Sequence, residues 1–386
     1  MTTETHQVDF AIDDLADLHE VLADYAQRKG PVFEILFGGR PIWLVHDYKL
    51  VKQVIADDQY LSAPTAYQKV LGPTMGEVIA TMSGAKHRHN RSAVAPVFFP
   101  KKMRQLSETV FTVEAEKLAK ALKGKKQVNL VKDYVRPFTF NNIASLLGLP
   151  AKDVDLLEDW AERIMHSFIS LPSAIAACEE MGVYLEPLLA DRKKNPQEDV
   201  ISLLAQVEVN GAGLSDAEII GFCRNLFPAA IDTSSNTLGT ALTIILNNPE
   251  LKQLALQDET KEALIQEVLR WEPPLVMVPR ECVNEINLGG ADIKSGDDVR
   301  LCITSANNDP EVFSNPREFD PSRKNNNLAF GHGEHFCIGS HMARRVVETG
   351  VEVLLKQFPN MQLDTERTTE IVGGVLRGPK EVWVTL

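Results

Sequence analysis

A helical pattern runs without interruption from about residue 215 to 247, and no other feature restricts the fold as strongly. It opens with Ser215 followed by Glu218, the spacing of a capping box. Further helical patterns cover 13–29, 48–56, 102–122, 139–146, 152–166, 174–191, 198–207 and 339–357. Another spans 249–271 and stops before Pro273-Pro274, because proline cannot continue a helix. Extended structure is scarce. Val32–Phe37 and Arg40–Val45 read as a hairpin turned at Gly38-Gly39, with short strands near 285–288 and 298–303 and β-like ends near 361–363 and 381–386. The fold class is therefore mostly α with a minor β part. No composition shift, linker or repeat divides the chain, so residues 1–386 read as a single domain. The Asn-, Asp- and Pro-rich stretch from about 306 to 329 is long for a loop in a compact domain, and such loops are usually functional or disordered.

Charge and cysteine usage narrow the function. Forty basic residues face 53 acidic ones, a net of -13, which disfavours general binding to nucleic acid or anionic membranes. The five cysteines (Cys178, Cys223, Cys282, Cys302, Cys337) are scattered, odd in number and without CxxC pairs. That is no disulfide framework and points to a reducing compartment. Glu4, Asp9, Asp13, Asp14, Asp17, Glu20 and Asp24 precede the first Lys or Arg, Arg28. A secretory signal needs early positive charge and then an apolar run, so a cytoplasmic location is expected.

The most informative segment is Phe330-Gly331-His332-Gly333-Glu334-His335-Phe336-Cys337-Ile338-Gly339, between the long loop and the last helix. A cysteine just before a helix N-terminus sits in positive potential, which favours the thiolate. The glycines let the backbone approach something flat. Two alternatives compete: a plain turn, and a zinc cluster of His332, His335, Cys337 and His341. The zinc spacing is irregular and draws all four ligands from ten residues, whereas structural zinc sites take paired ligands from separated elements.

Phe-Gly-x-Gly-x-His-x-Cys-x-Gly resembles the haem-binding signature of the cytochromes P-450, with every specified position filled. The resemblance implies the cytochrome P-450 fold, with haem b held between a long central helix and the cysteine loop. It makes Cys337 the iron ligand, whose thiolate pushes electron density that favours O–O cleavage, and it counts Phe330 among the cofactor-binding residues. Other segments are similar to the family in the same order. Glu267 and Arg270 match its ExxR helix, seventy residues before Cys337, and Arg323 in Phe319-Asp320-Pro321-Ser322-Arg323 is the candidate for the second arginine of a Glu-Arg-Arg cluster. Asn308 stands where the family often has arginine. His87 and Arg91, four apart on one helical face, resemble the HxxxR pair that binds haem propionates, and Arg280 and His335 are the other matching positions.

Ala229-Ala230-Ile231-Asp232-Thr233 resembles the oxygen-activation segment, with Ala230 in place of the usual glycine. An acid and an alcohol inside an otherwise apolar helix are costly unless they serve something, and the resemblance makes Asp232 and Thr233 a proton relay. Pro228, without an N–H, should bend that helix.

By resemblance the distal pocket is lined by residues of 63–82, 164–172, 225–233, 275–279 and 371–376, nearly all apolar, Met165 and Phe168 among them. Lys69 and Arg377 are the exceptions able to anchor a carboxylate. This implies a lipophilic or weakly polar small substrate. The family's function would be a monooxygenase inserting one oxygen atom, by hydroxylation or oxidative O-dealkylation. No flavin or iron–sulfur segment is evident. Electrons would come from NAD(P)H through a separate ferredoxin or flavodoxin and its reductase, docked on basic residues such as Lys86, Arg88, Lys101, Lys102, Arg344 and Arg345. A monomer without nucleic-acid or membrane partners is expected. The rival readings are a peroxide-driven peroxygenase or isomerase, a haem-based ligand sensor, and a zinc-bound structural protein.

Overall fold

A computed structural model describes residues 8–165 and 170–386. The chain forms two compact units. One comprises residues up to Ala66, Gly239–Cys337 and Leu363–Trp383, and the other Tyr67–Leu238, Ile338–Gln362 and Val384–Leu386.

The first unit is organised on a five-stranded sheet. Its spatial order is Val32–Phe37, Arg40–Val45, Asp298–Cys302, Met277–Cys282, Leu61–Ser62. The first two strands form the expected hairpin, in register from Val32 opposite Val45 to Phe37 opposite Arg40. Gly38 and Gly39 have φ of 60° and 75°, the left-handed pair that a two-residue hairpin turn demands. The Asp9 carboxylate accepts from both glycine amides, at 2.9 and 2.7 Å.

Alternation of side chains across the pleat builds two cores. Val32, Val45, Val299 and Leu301 face the helix Tyr48–Ala56 and pack with Val51, Val54 and Ile55. Phe33, Ile35, Ile42 and Leu44 pack with Leu18 and Leu22 of the helix Leu18–Lys29. Each such side chain, fully buried, contributes about 1.5–3 kcal/mol of transfer free energy.

Two of the differences from the sequence reading have a visible cause in side-chain bonds. The first helix starts at Leu18 rather than 13. Upstream, Asp9 Oδ1 accepts from Ala11 N–H and Asp13 Oδ2 from Asp9 N–H, a local turn that competes with helix. The pattern over 249–271 is two helices, Pro249–Ala255 and Lys261–Trp271. Between them Thr260 donates its hydroxyl to the Leu254 carbonyl at 2.7 Å and Asp258 accepts from Lys261 at 2.5 Å, which closes the first helix early.

The second unit is helical. The long helix runs Asp216–Leu246 and passes into the first unit at Gly239. Its capping box is formed: Ser215 N–H donates to Glu218 Oε2 at 2.8 Å and Glu218 N–H to Ser215 Oγ at 3.3 Å. Pro228 lies within the helix, so the Arg224 carbonyl has no i+4 amide to accept from. The helix Ser340–Gln357 lies close to Tyr134 and Phe138 at Gly350: Tyr134 donates its hydroxyl to the Gly350 carbonyl at 2.9 Å, and a Cβ on Gly350 would stand 2.9 Å from the Phe138 ring. The helix Arg136–Leu147 ends on Gly148 in the left-handed conformation, φ 74°.

Candidate functional site

The cysteine loop closes on itself before the last helix begins. Cys337 N–H donates to the Phe330 carbonyl at 2.8 Å, Phe336 N–H to Gly333 at 3.1 Å, and Gly331 N–H to Leu328 at 2.8 Å. Gly331 and Gly333 hold φ of 74° and 75°, which only glycine adopts without strain. A Cβ on Gly333 would also press on the Ala56 backbone at 3.2 Å. The result is a stiff turn that leaves the Cys337 side chain exposed, together with Phe336, whereas the other four cysteines are buried. Phe330 and Phe336 lie 6.4 Å apart, ring to ring.

Beside this loop a carboxylate lies within ion-pair distance of two basic side chains. Arg280 Nε stands 3.9 Å from Asp58 Oδ1, and His335 Nε2 stands 3.5 Å from Asp58 Oδ2. Burial alone would raise the Asp58 pKa, but His335, the Ala63 amide and the Arg280 charge outweigh it and hold the carboxyl below its ordinary value. Arg280 is 4% exposed on the strand Met277–Cys282. The resemblance gave Arg280 and His335 to the haem propionates, and the fold places both beside the Asp58 carboxylate. Asp58 had no sequence signal, since an isolated acid after a helix reads as an ordinary surface residue.

In the same unit, the Glu-Arg-Arg cluster assembles as expected. Arg270, fully buried, makes a two-pronged pair with Glu267 at 2.7 and 2.8 Å. Arg323 Nε adds a contact to Glu267 at 3.5 Å, and its other nitrogen donates to the Ser314 carbonyl at 2.7 Å. Glu267 further accepts from Asp320 N–H and Asn325 Nδ2, at 3.1 and 3.3 Å. Where the family often has an arginine, Asn308 Oδ1 accepts from Arg317 at 3.0 Å, so an arginine nine residues on supplies the charge.

A second buried cluster corrects one expectation. Arg377 does not stand free to anchor a substrate carboxylate. It is 3% exposed, its Nε donates to Glu272 Oε2 at 2.8 Å, and its remaining nitrogens donate to the carbonyls of Leu15 and Ala16. Glu272 also pairs with His19 at 2.6 Å and Arg317 at 2.9 Å. Burial opposes its charge, but His19, Arg377 and Arg317 win and hold its pKa at about 2. Lys69 is exposed.

In the helical unit, His87 and Arg91 sit four residues apart on the helix Gly84–Val94, with His87 fully buried and Arg91 half-buried. On the long helix, Asp232 and Thr233 are half-buried. Arg136 NH1 lies 3.8 Å from Asp232 Oδ1, a contact the sequence did not foreshadow. Thr233 donates its hydroxyl proton to the Ala229 carbonyl at 2.8 Å. Of the apolar pocket candidates, the Met165 side chain and Phe168 lie outside the described residues. No group of three His, Cys, Asp or Glu side chains among the described residues is placed to hold a metal ion, which leaves the zinc reading without support. No helix among them is long and apolar enough to cross a membrane.

The family model described as Cytochrome P450 matches residues 10–166 and 173–386. The chain belongs to the cytochrome P450 family. This P450 is 29% identical over 356 residues to the putative cytochrome P450 YjiB of Bacillus subtilis, covering 89% of this chain and 88% of that one. It is also 29% identical to the erythromycin C-12 hydroxylase of Saccharopolyspora erythraea, over 88% of this chain and 87% of that one. Its fold matches the bacillaene polyketide synthase P450 PksS of Bacillus subtilis with a TM-score of 0.87 at 26% identity, over 96% and 97% of the two chains. P450BioI in complex with an acyl carrier protein bearing hexadec-9Z-enoic acid matches with a TM-score of 0.85 at 26% identity, over 96% and 99%. The protein is thus a haem-dependent monooxygenase of the P450 class. Its own donor set fits a haem: an exposed thiol on a glycine-shaped turn, and an arginine and a histidine that already hold a carboxylate, the group a haem propionate presents.

Proposed function

We propose that this P450 inserts one atom of dioxygen into a lipophilic or weakly polar small molecule, by hydroxylation or oxidative O-dealkylation, with two electrons drawn from NAD(P)H through a separate ferredoxin or flavodoxin and its reductase. The observation that carries the reading is the Cys337 loop: two left-handed glycines present an exposed thiol next to a carboxylate-binding arginine and histidine. Bound haem supplies dioxygen activation, with the second oxygen atom leaving as water.

The chain's own residues do the rest. Cys337 Sγ, as thiolate, would ligate the haem iron, and Phe330 would pack against the cofactor. Arg280 and His335 would hold a propionate in place of the Asp58 carboxylate, and His87 and Arg91 are the further residues that would pair with the propionates. Asp232 takes protons from solvent beside Arg136 and passes them to Thr233. Because the Thr233 proton is engaged with the Ala229 carbonyl, Oγ1 first accepts a hydrogen bond through its lone pair. It delivers a proton only by turning away from that carbonyl. Ala230 narrows the groove beside it. Arg88 and Lys101, both exposed, are the basic residues best suited to an acidic electron donor, because Lys86 and Arg345 are tied to Glu77 and Glu348.

The test is a reduced, carbon-monoxide-bound difference spectrum of the purified protein and of Cys337→Ala. A strongly red-shifted Soret band in the native protein that is absent from the variant supports thiolate ligation by Cys337. An unchanged band in the variant overturns it. Turnover of a lipophilic substrate with a ferredoxin system, but not with peroxide alone, distinguishes the monooxygenase from the peroxygenase reading.

A further inference from the structure

With Arg377 spent on Glu272, the notable cation of the helical unit is one the motifs do not include. Arg224 lies on the long helix one turn before Pro228, half-buried, with its Nε fully enclosed and without a hydrogen-bond partner. No described residue forms an ion pair with it. Its guanidinium lies across the helix Leu171–Lys194 at Gly182, where a Cβ would overlap it. Glycine inside a 24-residue helix sacrifices about 1 kcal/mol relative to alanine, so the helix gives up stability to make room for this side chain.

Arg224 also lines a cleft of about 460 Å³. Met75, Ala217 and Gly221 supply uncharged walls. The cleft's other charges are satisfied. Glu77 pairs with Lys86. Glu218 accepts from the Ser215 amide and hydroxyl, at 2.8 and 2.7 Å, and from Asn90 at 3.1 Å. The guanidinium is the one charged group of the cleft with neither a hydrogen bond nor an ion pair among the described residues, and a partly enclosed charge is costly until it is paired.

We propose that Arg224 anchors a binding site for a carboxylate-bearing amphiphilic small molecule, whose apolar part lies along Met75 and Ala217. The planar fork of arginine matches a carboxylate in a two-point pair. A phosphate group would call for further donors, and the lysine of this cleft is already paired. Nine residues separate Arg224 from Thr233, which is half a turn around an ideal helix and about 13 Å along it. The site is therefore distinct from the proton-relay segment, and it does not depend on haem ligation.

The test is calorimetric titration of the haem-loaded full-length protein with dodecanoate and with methyl dodecanoate. These two probes share chain length and differ in charge. The native protein is expected to bind dodecanoate at least tenfold tighter than the ester. Arg224→Gln removes that preference while ester binding stays within twofold, and Arg224→Lys retains part of it. Gly182→Ala, which crowds the guanidinium from the neighbouring helix, weakens dodecanoate and spares the ester. Equal affinity of the native protein for both probes, or an unchanged preference in Arg224→Gln, overturns the site. Should Arg224→Gln fail to fold, Arg224→Lys and Gly182→Ala decide it by the same comparison.

Discussion

Glu272→Gln isolates one buried charge whose energetic role can be worked out from its surroundings. Glu272 is 3% exposed and held by His19, Arg377 and Arg317. The distance from its ordinary 4.5 to about 2 corresponds to roughly 3 kcal/mol of preference for the charged form in the folded state, at about 1.36 kcal/mol per pH unit. Because the folded-state value is the lower one, this stability is present above the unfolded value and disappears as pH falls through about 2. The variant should therefore be less stable than the native protein by about 3 kcal/mol at pH 7, before any added cost of leaving Arg377 buried without its partner. The difference should shrink to under half by about pH 3. Urea unfolding followed by far-ultraviolet circular dichroism, with the two proteins compared at each pH, measures it. A variant as stable as the native protein at pH 7, or a deficit that stays constant down to pH 3, refutes the reasoning.

Other outcomes follow from the same contacts. Thr233→Ala should send electrons to peroxide and cut product formed per NAD(P)H several-fold; an unchanged ratio removes Thr233 from the relay. Glu267→Gln leaves the fully buried Arg270 without its carboxylate and should cost about 3–5 kcal/mol in urea unfolding, whereas Arg323→Ala should cost about 1 kcal/mol because its contact is longer and partly solvated. Gly333→Ala forces a side chain into φ 75° against the Ala56 backbone. A strain of about 1–2 kcal/mol should appear as a lower haem-to-protein absorbance ratio after purification, and native loading would count against a shaped loop.

Much of this was legible in the residues themselves. The hairpin at Gly38-Gly39, the capping box at Ser215 and the cysteine loop carry their signals in consecutive positions, where local backbone chemistry decides the structure. The break at 256–260 was hidden because Asp258 and Thr260 end a helix only through the particular side-chain bonds they make. Asp58 and the fate of Arg377 were out of reach for a different reason: each depends on partners more than 100 residues away in sequence. An arginine near a pocket segment reads the same whether it faces a ligand or a buried glutamate. Arg224 was overlooked because its signature is a glycine on another helix, at position 182.

The segment between Asn307 and Gly333 has no helix or strand of its own, yet several of its amides are held by side chains. Glu267 takes the Asp320 N–H, Asn307 takes the Leu328 N–H at 2.6 Å, and Asn327 takes the Ala329 N–H at 3.0 Å. The part of this scaffold anchored on Glu267 cannot form before the helix Lys261–Trp271 is in place, and Arg270 of the same helix donates to the Asn307 carbonyl at 3.1 Å. The cysteine turn should accordingly be among the last parts of the chain to mature, with cofactor capture following helix formation in time. Hydrogen exchange read at Asp320 and Leu328 would show it: both amides should open together with the Glu267 helix, and independent, faster opening at Leu328 would mean that the turn holds its shape without that support.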